Sequence, residues 1–209
     1  MPNSASTSDK FDNVANIYNG PIFQLYYFLA HSACINYLKP YLKDNQSILD
    51  IACGTGIFLK KILKQKEGLK LAGIDNSKKM ISVARLFGDK IDFREADAEN
   101  SSFEKDSFDI VTIIDAIYYF PNKEAALSEC KRVLRPGGYL FLFYPAIDII
   151  PNFILDQIKL VSRSLFFNLE ENSSIVNIKE LEKLAGLSGL KLINKKMQTM
   201  HRFIIFKKI

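Results

Sequence analysis

The sequence predicts an α/β fold: a doubly wound, mostly parallel sheet with helices on both faces. Three observations carry this. Short apolar runs alternate with helical patterns, as in "SILDIA" before "IFLKKILKQ" and "LKLAGI" before "SKKMISVARLF". Two later runs, "DIVTII" and "YLFLFY", are apolar at nearly every position, as strands covered on both sides are. The first run leads into "ACGTG", a glycine turn between a strand and a helix.

The elements follow in order. Residues 1–8 read as disordered, and "MPNSASTSDK" lacks the apolar core of a secretory signal. Helical spacing runs from Asp9 to about Lys43, broken at Asn19, Gly20 and Pro21. Asp9 suits an N-cap, and Pro21 suits the first turn of the second helix. That helix, "IFQLYYFLAHSACINYLKPYL", is so apolar and aromatic that core or ligand must cover it. Two strand–helix pairs come next, then the strands "KIDFREA" and "FDIVTII". The helix "KEAALSECKRVL" is ended by the turn signal "RPGG", and "YLFLFY" is the fifth strand. Beyond Tyr144, a helix is expected after Pro151, and a shorter one in "IKELEKLAGLSGL" stops at Gly186. "LKLINKKMQT" and "HRFIIFKKI" form a closing antiparallel pair.

Composition narrows the function. A chain of 209 residues, 48% hydrophobic and 24% charged, is one globular domain with small appendages. Its net charge of +5 comes from lysines interspersed with acids, which reads as a solvated surface rather than a nucleic-acid patch. No apolar run reaches the roughly 20 residues of a membrane span. Cys34, Cys53 and Cys130 are too scattered for a disulfide framework and suggest a reducing compartment, the cytoplasm. His31 and Cys34 share a helical face but lack a second pair to complete a metal site, so no metal is expected.

The glycine turn selects a ligand class. Gly54 and Gly56 permit positive φ and a close approach of backbone to ligand, and the next helix presents free N–H groups to the same space. The third glycine of G-x-G-x-x-G is absent, and Asp50 would repel a pyrophosphate. A nucleoside bearing an amino acid fits better, since its ammonium tolerates a carboxylate and its own carboxylate suits a helix N-terminus. Asp75 follows Gly54 by about 20 residues, the interval of a ribose-binding acid. Asp97 follows the third strand, where it can accept from an adenine amino group, and Asp115 follows the fourth. Four acids at successive strand ends would repel one another without a ligand carrying donors.

"ILDIACGTGIF", "LAGIDNSKKMISVAR", "DFREADAENSSFEKDSFDIVTIIDAIYYF" and "CKRVLRPGGYLFLF" resemble, in order and spacing, the class I S-adenosylmethionine-dependent methyltransferases. The likeness covers about residues 47–144 and is to the small-molecule group that includes quinone- and lipid-modifying enzymes. It implies a Rossmann-like, seven-stranded sheet with an antiparallel last strand, and S-adenosylmethionine as cofactor. Asp50, Ala52, Gly54 and Gly56 match the loop around the methionine part, Asp75 the ribose acid, and Asn76 and Met80 the adenine lining. Asp97 and Ala98 match the adenine-edge pair, and Asp115 a residue near the methionine portion. "FDNVANIYNG" is similar to an N-terminal helix of the quinone and lipid enzymes, with Asn19 in place of Asp and Tyr18 where a Tyr approaches the cofactor. The expected organisation is a helical cap at 1–44 and a methyltransferase domain at 45–209, with a lid-like insertion at 151–176.

Methyl transfer from a sulfonium is a direct displacement, so the protein aligns the reactants and keeps water out. Tyr118, Tyr119 and Tyr144, after the fourth and fifth strands, are the candidate acceptor-facing residues. His31 and His201 are candidate bases, though a structural or exposed role is the stronger reading for each, and no catalytic residue is assigned. Aromatic and aliphatic side chains in the N-terminal and 151–168 helices favour a small apolar or aromatic acceptor, a lipid or quinone. A nucleic-acid acceptor is disfavoured, because "DAIY" stands where a base-methylation motif would follow the fourth strand. Two alternatives stay open: a non-catalytic cofactor-binding or interaction protein, and a nicotinamide-dependent oxidoreductase.

Overall fold

The structure is a computed structural model that describes residues 11–12, 21–86, 88–145, 177–198 and 201–209, with the backbone alone at 21–29. Helix α1 (Pro21–Leu38) begins at the proline and ends in a 3-10 turn, Lys39–Tyr41. Then follow β1 (Ser47–Ile51), α2 (Ile57–Ile62), β2 (Lys70–Asp75), α3 (Lys78–Arg85), β3 (Ile91–Glu95) and β4 (Phe108–Ile114). A 3-10 turn at Ile117–Tyr119 leads to α4 (Lys123–Val133) and β5 (Leu134–Pro145). After residue 176 come α5 (Ile178–Leu187), β6 (Leu190–Gln198) and β7 (His201–Lys208). The expected cap at Asp9, the leader at 1–8, Tyr18 and the 151–176 insertion lie outside the described residues.

One seven-stranded sheet is ordered β3-β2-β1-β4-β5-β7-β6. The first five strands are parallel, and β7 lies antiparallel between β5 and β6. This is the doubly wound sheet with an antiparallel last strand expected from the sequence. The chain leaves β1 towards β3 on one side and β4 on the other, so the strand order reverses beside β1, where such sheets bind ligands.

The core has two layers, because successive side chains of a strand point to opposite faces. Leu49, Ile51, Val111, Ile113, Leu140, Leu142, Ile204 and Phe206 face the layer that also holds α4 and α5 residues. Ile48, Ile110, Phe141, Phe143, Phe203 and Ile205 face the layer with α1, α2 and α3. Ala30, Cys34, Ile35 and Leu38 of α1 belong to this second layer, so the described side chains of that apolar helix are core.

Three element boundaries differ from the sequence reading. Helix α2 stops at Ile62 instead of running to Gln65, and the chain turns before Gly68, whose φ of +62° is left-handed. "RPGG" does not separate α4 from the fifth strand. It bulges within β5, with Gly137 at φ +78° and the β4 register jumping between Phe108 and Ile110. Arg135 Nη1 donates to Asp109 Oδ2 at 2.7 Å and holds that bulge against β4. Helix α5 passes through Gly186 and ends at Leu187, and Gly189, just past the Ser188 C-cap, supplies the positive φ (+79°) that the stop needs.

Candidate active site

At the carboxyl ends of β1 to β4 lies a cleft of about 220 Å³. Its lining includes Ala52, Gly54, Asp75, Asn76, Met80, Asp97, Ala98 and Asp115, eight of the cofactor residues expected from the sequence. They come together because parallel strands deliver each successive loop to the same edge of the sheet.

Asp75 is the best-organised of them. Its Oδ2 accepts from Gly54 N at 2.9 Å, and its Oδ1 accepts from Ser77 N at 2.9 Å. Each carboxylate oxygen takes a second donor, so the pair remains able to receive two hydroxyls. Burial pushes the carboxyl up, while the two backbone donors pull it back towards the charged form. Ser77 caps α3 by accepting from Met80 N at 3.1 Å, and this seats Met80 in the cleft wall. Asp97 is turned differently: its Oδ1 accepts from Glu99 N at 2.9 Å within its own loop.

The glycine loop is built from left-handed backbone. Ala52 (φ +58°), Gly54 (φ +53°) and Gly56 (φ +72°) curl it, and Cys53 N donates to Ile74 O at 2.8 Å to anchor it on β2. Asp115 is left-handed too (φ +52°), with its N–H donated to Phe143 O at 2.8 Å. Ala52 and Asp115 are non-glycine residues in a region costing about 1–2 kcal/mol each, and both line the cleft. Gly56 does not line it. A Cβ there would run into the Phe93 ring, so this glycine serves the packing of α2 on β3.

Asp50 lies behind the loop, 2% exposed, and lines a smaller chamber. Thr112 Oγ1 donates to its Oδ1 at 2.6 Å, yet burial lifts the carboxyl to about 7. Cys53 is buried with its thiol pushed well up by burial, in keeping with a packing role rather than a nucleophilic one. Gly73 leaves space for it: a Cβ there would come within 2.8 Å of the Cys53 sulfur.

Of the candidate acceptor-facing residues, Tyr119 lines the cleft. Tyr118 packs on Tyr119 and on the core, with ring centroids 4.4 Å apart. Tyr144 sits in the core, 2% exposed, and does not line the cleft. His201 stacks on Phe143 at 4.8 Å, away from the cleft lining.

Sequence reasoning missed Phe11, Ala96, Glu99, Phe120 and Pro121, which also line the cleft. Phe11 meets the Tyr119 ring edge-on at 5.2 Å. The neighbouring Asp12 accepts from Ser77 Oγ at 2.5 Å and Lys79 N at 3.2 Å. "FD" at the start of "FDNVANIYNG" carried the signal, but the reading of that stretch centred on Tyr18.

Residues 49–142 match the family described as methyltransferase domain. The ubiquinone/menaquinone biosynthesis C-methyltransferase of Campylobacter jejuni is 41% identical over 113 residues, covering 52% of this chain and 48% of that protein. The demethylmenaquinone methyltransferase of Bacteroides fragilis is 32% identical over 148 residues, or 66% of this chain and 60% of that protein. The chain thus spans about half the length of the Campylobacter relative. Among solved structures, a methyltransferase of Thermotoga maritima shares the fold at a TM-score of 0.73 and 20% identity, covering 96% of this chain and 99% of that one. Another, from Methanosarcina mazei, does so at a TM-score of 0.67 and 21% identity, covering 83% and 97%. The resemblance read from the sequence is borne out.

Proposed function

Residues 49–142 carry a methyltransferase domain, and from that premise we propose that the protein transfers a methyl group from S-adenosylmethionine to a small apolar or aromatic acceptor. The observation that carries this is the Asp75 carboxylate, held between Gly54 N and Ser77 N and set into a cleft walled by other strand-end acids. A carboxylate oriented by two backbone donors suits a vicinal diol, and the apolar Met80, Ala96 and Ala98 suit a purine face.

When bound, the cofactor supplies an electrophilic methyl group on sulfonium. The chain's part is to bind, orient and exclude water. Asp75 would take the ribose hydroxyls and Asp97 the adenine edge, with Asn76 and Met80 lining the base. Ala52, Gly54, Asp50 and Asp115 would surround the amino-acid portion, and Gly56 shapes the loop from behind. Tyr119, whose hydroxyl burial holds in the neutral form, stands at the acceptor side as a hydrogen-bond donor. Phe11 and Phe120 close the apolar side of the cleft against water.

The acceptor class rests on two supports: the relatives named for quinone methylation, and the aromatic cleft rim. A quinone precursor or another small apolar molecule fits both. No helix among the described residues is long and apolar enough to cross a membrane, and we place the protein's work in the cytoplasm. The helical cap at 1–44 and the insertion at 151–176 would cover the acceptor.

Calorimetric titration with S-adenosylhomocysteine tests the cofactor assignment. Micromolar binding to the wild type is expected, with a loss of about 100-fold in Asp75→Ala, since two charge-assisted hydrogen bonds disappear. NAD binding, or unchanged binding of S-adenosylhomocysteine by the variant, would overturn it. Turnover with demethylated quinone precursors then separates an enzyme from a cofactor-binding protein.

A further inference from the structure

Ser77 is fully buried and joins two carboxylates. Its N–H donates to Asp75 Oδ1 at 2.9 Å, and its hydroxyl donates to Asp12 Oδ1 at 2.5 Å. The same hydroxyl oxygen accepts from Met80 N at 3.1 Å. A hydroxyl has one proton to give, and Asp12 takes it. Asp12 Oδ1 also accepts from Lys79 N at 3.2 Å. The first turn of α3 is therefore capped twice, once by its own serine and once by a residue 65 positions earlier. Phe11, the residue before Asp12, lines the cleft and meets the Tyr119 ring.

We propose that Asp12 is a positioning residue for the nucleoside half of the cleft, acting through Ser77 on the Asp75 carboxylate and on the Met80 wall. The inference rests on the cofactor reading above and adds a residue outside the stretch 49–142 that matches the family.

Asp75 turns one oxygen to Gly54 N and the other to Ser77 N, so its aim depends on where both donors are held. Gly54 belongs to the loop after β1. Ser77 opens α3, whose first N–H groups need acceptors from outside the helix. The serine oxygen supplies one and Asp12 another. The bond from Ser77 holds the Asp12 carboxyl below its usual value, so it is a charged and strong acceptor at neutral pH. Without Asp12, the buried Ser77 hydroxyl loses its described acceptor and Lys79 N loses its cap. The turn that carries both Ser77 N and Met80 then loosens. Supporting hydrogen bonds of this kind lock the side chains that meet a ligand.

The test compares two probes, 5′-methylthioadenosine and its 2′-deoxy analogue, which offers Asp75 one hydroxyl fewer. Calorimetry is run on the wild type, Asp12→Ala and Asp12→Asn. The wild type should prefer the ribose form by about tenfold. Asp12→Ala should weaken the ribose form about fivefold and the deoxy form less than about twofold, so that the preference shrinks. Asp12→Asn keeps an oxygen acceptor and should recover most of the loss. Equal weakening of both probes would mean that Asp12 only stabilises α3, and unchanged affinities would disconnect it from the site; both results overturn the proposal. A folded wild type that binds neither probe, or both equally, overturns the cofactor reading, and this inference with it.

Discussion

Asp50 shows how strongly a single residue here depends on its surroundings. It is buried on the central strand β1, which pairs with β2 and β4, and its one described side-chain partner is the Thr112 hydroxyl. Burial therefore lifts it to about 7 from the ordinary 3.8. Below pH 3.8 both the folded and the unfolded chain hold this proton. Between that value and about 7 only the folded chain keeps it, so stability falls as pH rises through the window and levels off above it. Asp75, also raised by burial, acts in the same direction. Replacing the carboxyl by an amide removes the Asp50 share. Asp50→Asn should lose less stability than the wild type between pH 5 and pH 8, by about 1–2 kcal/mol, in urea denaturation at the two pH values. Parallel pH dependences would show that Asp50 titrates normally. Asp50 was legible as a candidate site residue from its place before the glycine turn. Its enclosure was not, because that depends on Thr112, which lies 62 residues away.

The loop after β3 is held by an element that contributes no residue to the cleft. Ser101, fully buried, donates to Glu129 Oε1 of α4 through its N–H at 2.9 Å and its hydroxyl at 2.5 Å. Arg132, one turn later, donates to both Glu129 oxygens at 2.6 and 2.8 Å and to Phe103 O at 2.6 Å. Burial opposes the Glu129 charge, but Arg132 and Ser101 outweigh it and hold the carboxyl below its usual value. This clamp fixes the segment that begins with Ala96, Asp97 and Ala98, so α4 positions the expected adenine contacts at a distance. Glu129→Gln keeps the shape and weakens the charge-assisted bonds. It should cost about 1–3 kcal/mol of stability in urea denaturation and loosen S-adenosylhomocysteine several-fold, while Asp97 itself stays in place. An unchanged affinity alongside the lost stability would separate the clamp from the site. "ENSSFEKDSF" gives no sequence sign of this clamp, since its partners lie 28 residues apart on different elements.

For the whole molecule, β7 is the strand on which both core layers meet at the closing end of the sheet. Ile204 and Phe206 enter one layer and Phe203 and Ile205 the other, and β7 pairs with β5 on one side and β6 on the other. Lys208 Nζ adds a buried donor to Leu134 O and Asp106 Oδ1, both at 2.6 Å. The last residues of the chain thus tie down the start of β5, beside the clamp of α4. Phe206→Ala empties part of a fully packed layer and should cost about 3–5 kcal/mol. Fluorescence, circular dichroism and loss of S-adenosylhomocysteine binding should shift together in urea, as for one cooperative unit. A binding transition that stayed at the wild-type midpoint would show that the cofactor half folds independently.

The sequence by itself determined the class of fold, the order of strands and helices, and the strand-end acids around the cleft. These are local properties: apolar periodicity, glycine turns and the rule that parallel strands collect their carboxyl ends on one edge. Only the tertiary structure decided that Gly56 serves Phe93 and that Tyr144 is core. It alone placed Asp50 behind the loop and brought Phe11 to Tyr119 and His31 to the chamber that Asp50 lines. Each of these depends on which residues distant in sequence come into contact, and that is set by packing across the sheet. The bulge in β5 and the end of α5 show the same division. "RPGG" and Gly186 read from the sequence as a turn and a helix stop, but "RPGG" lies inside β5 and Gly186 inside α5, because whether a glycine bends the chain depends on the backbone angle its neighbours impose.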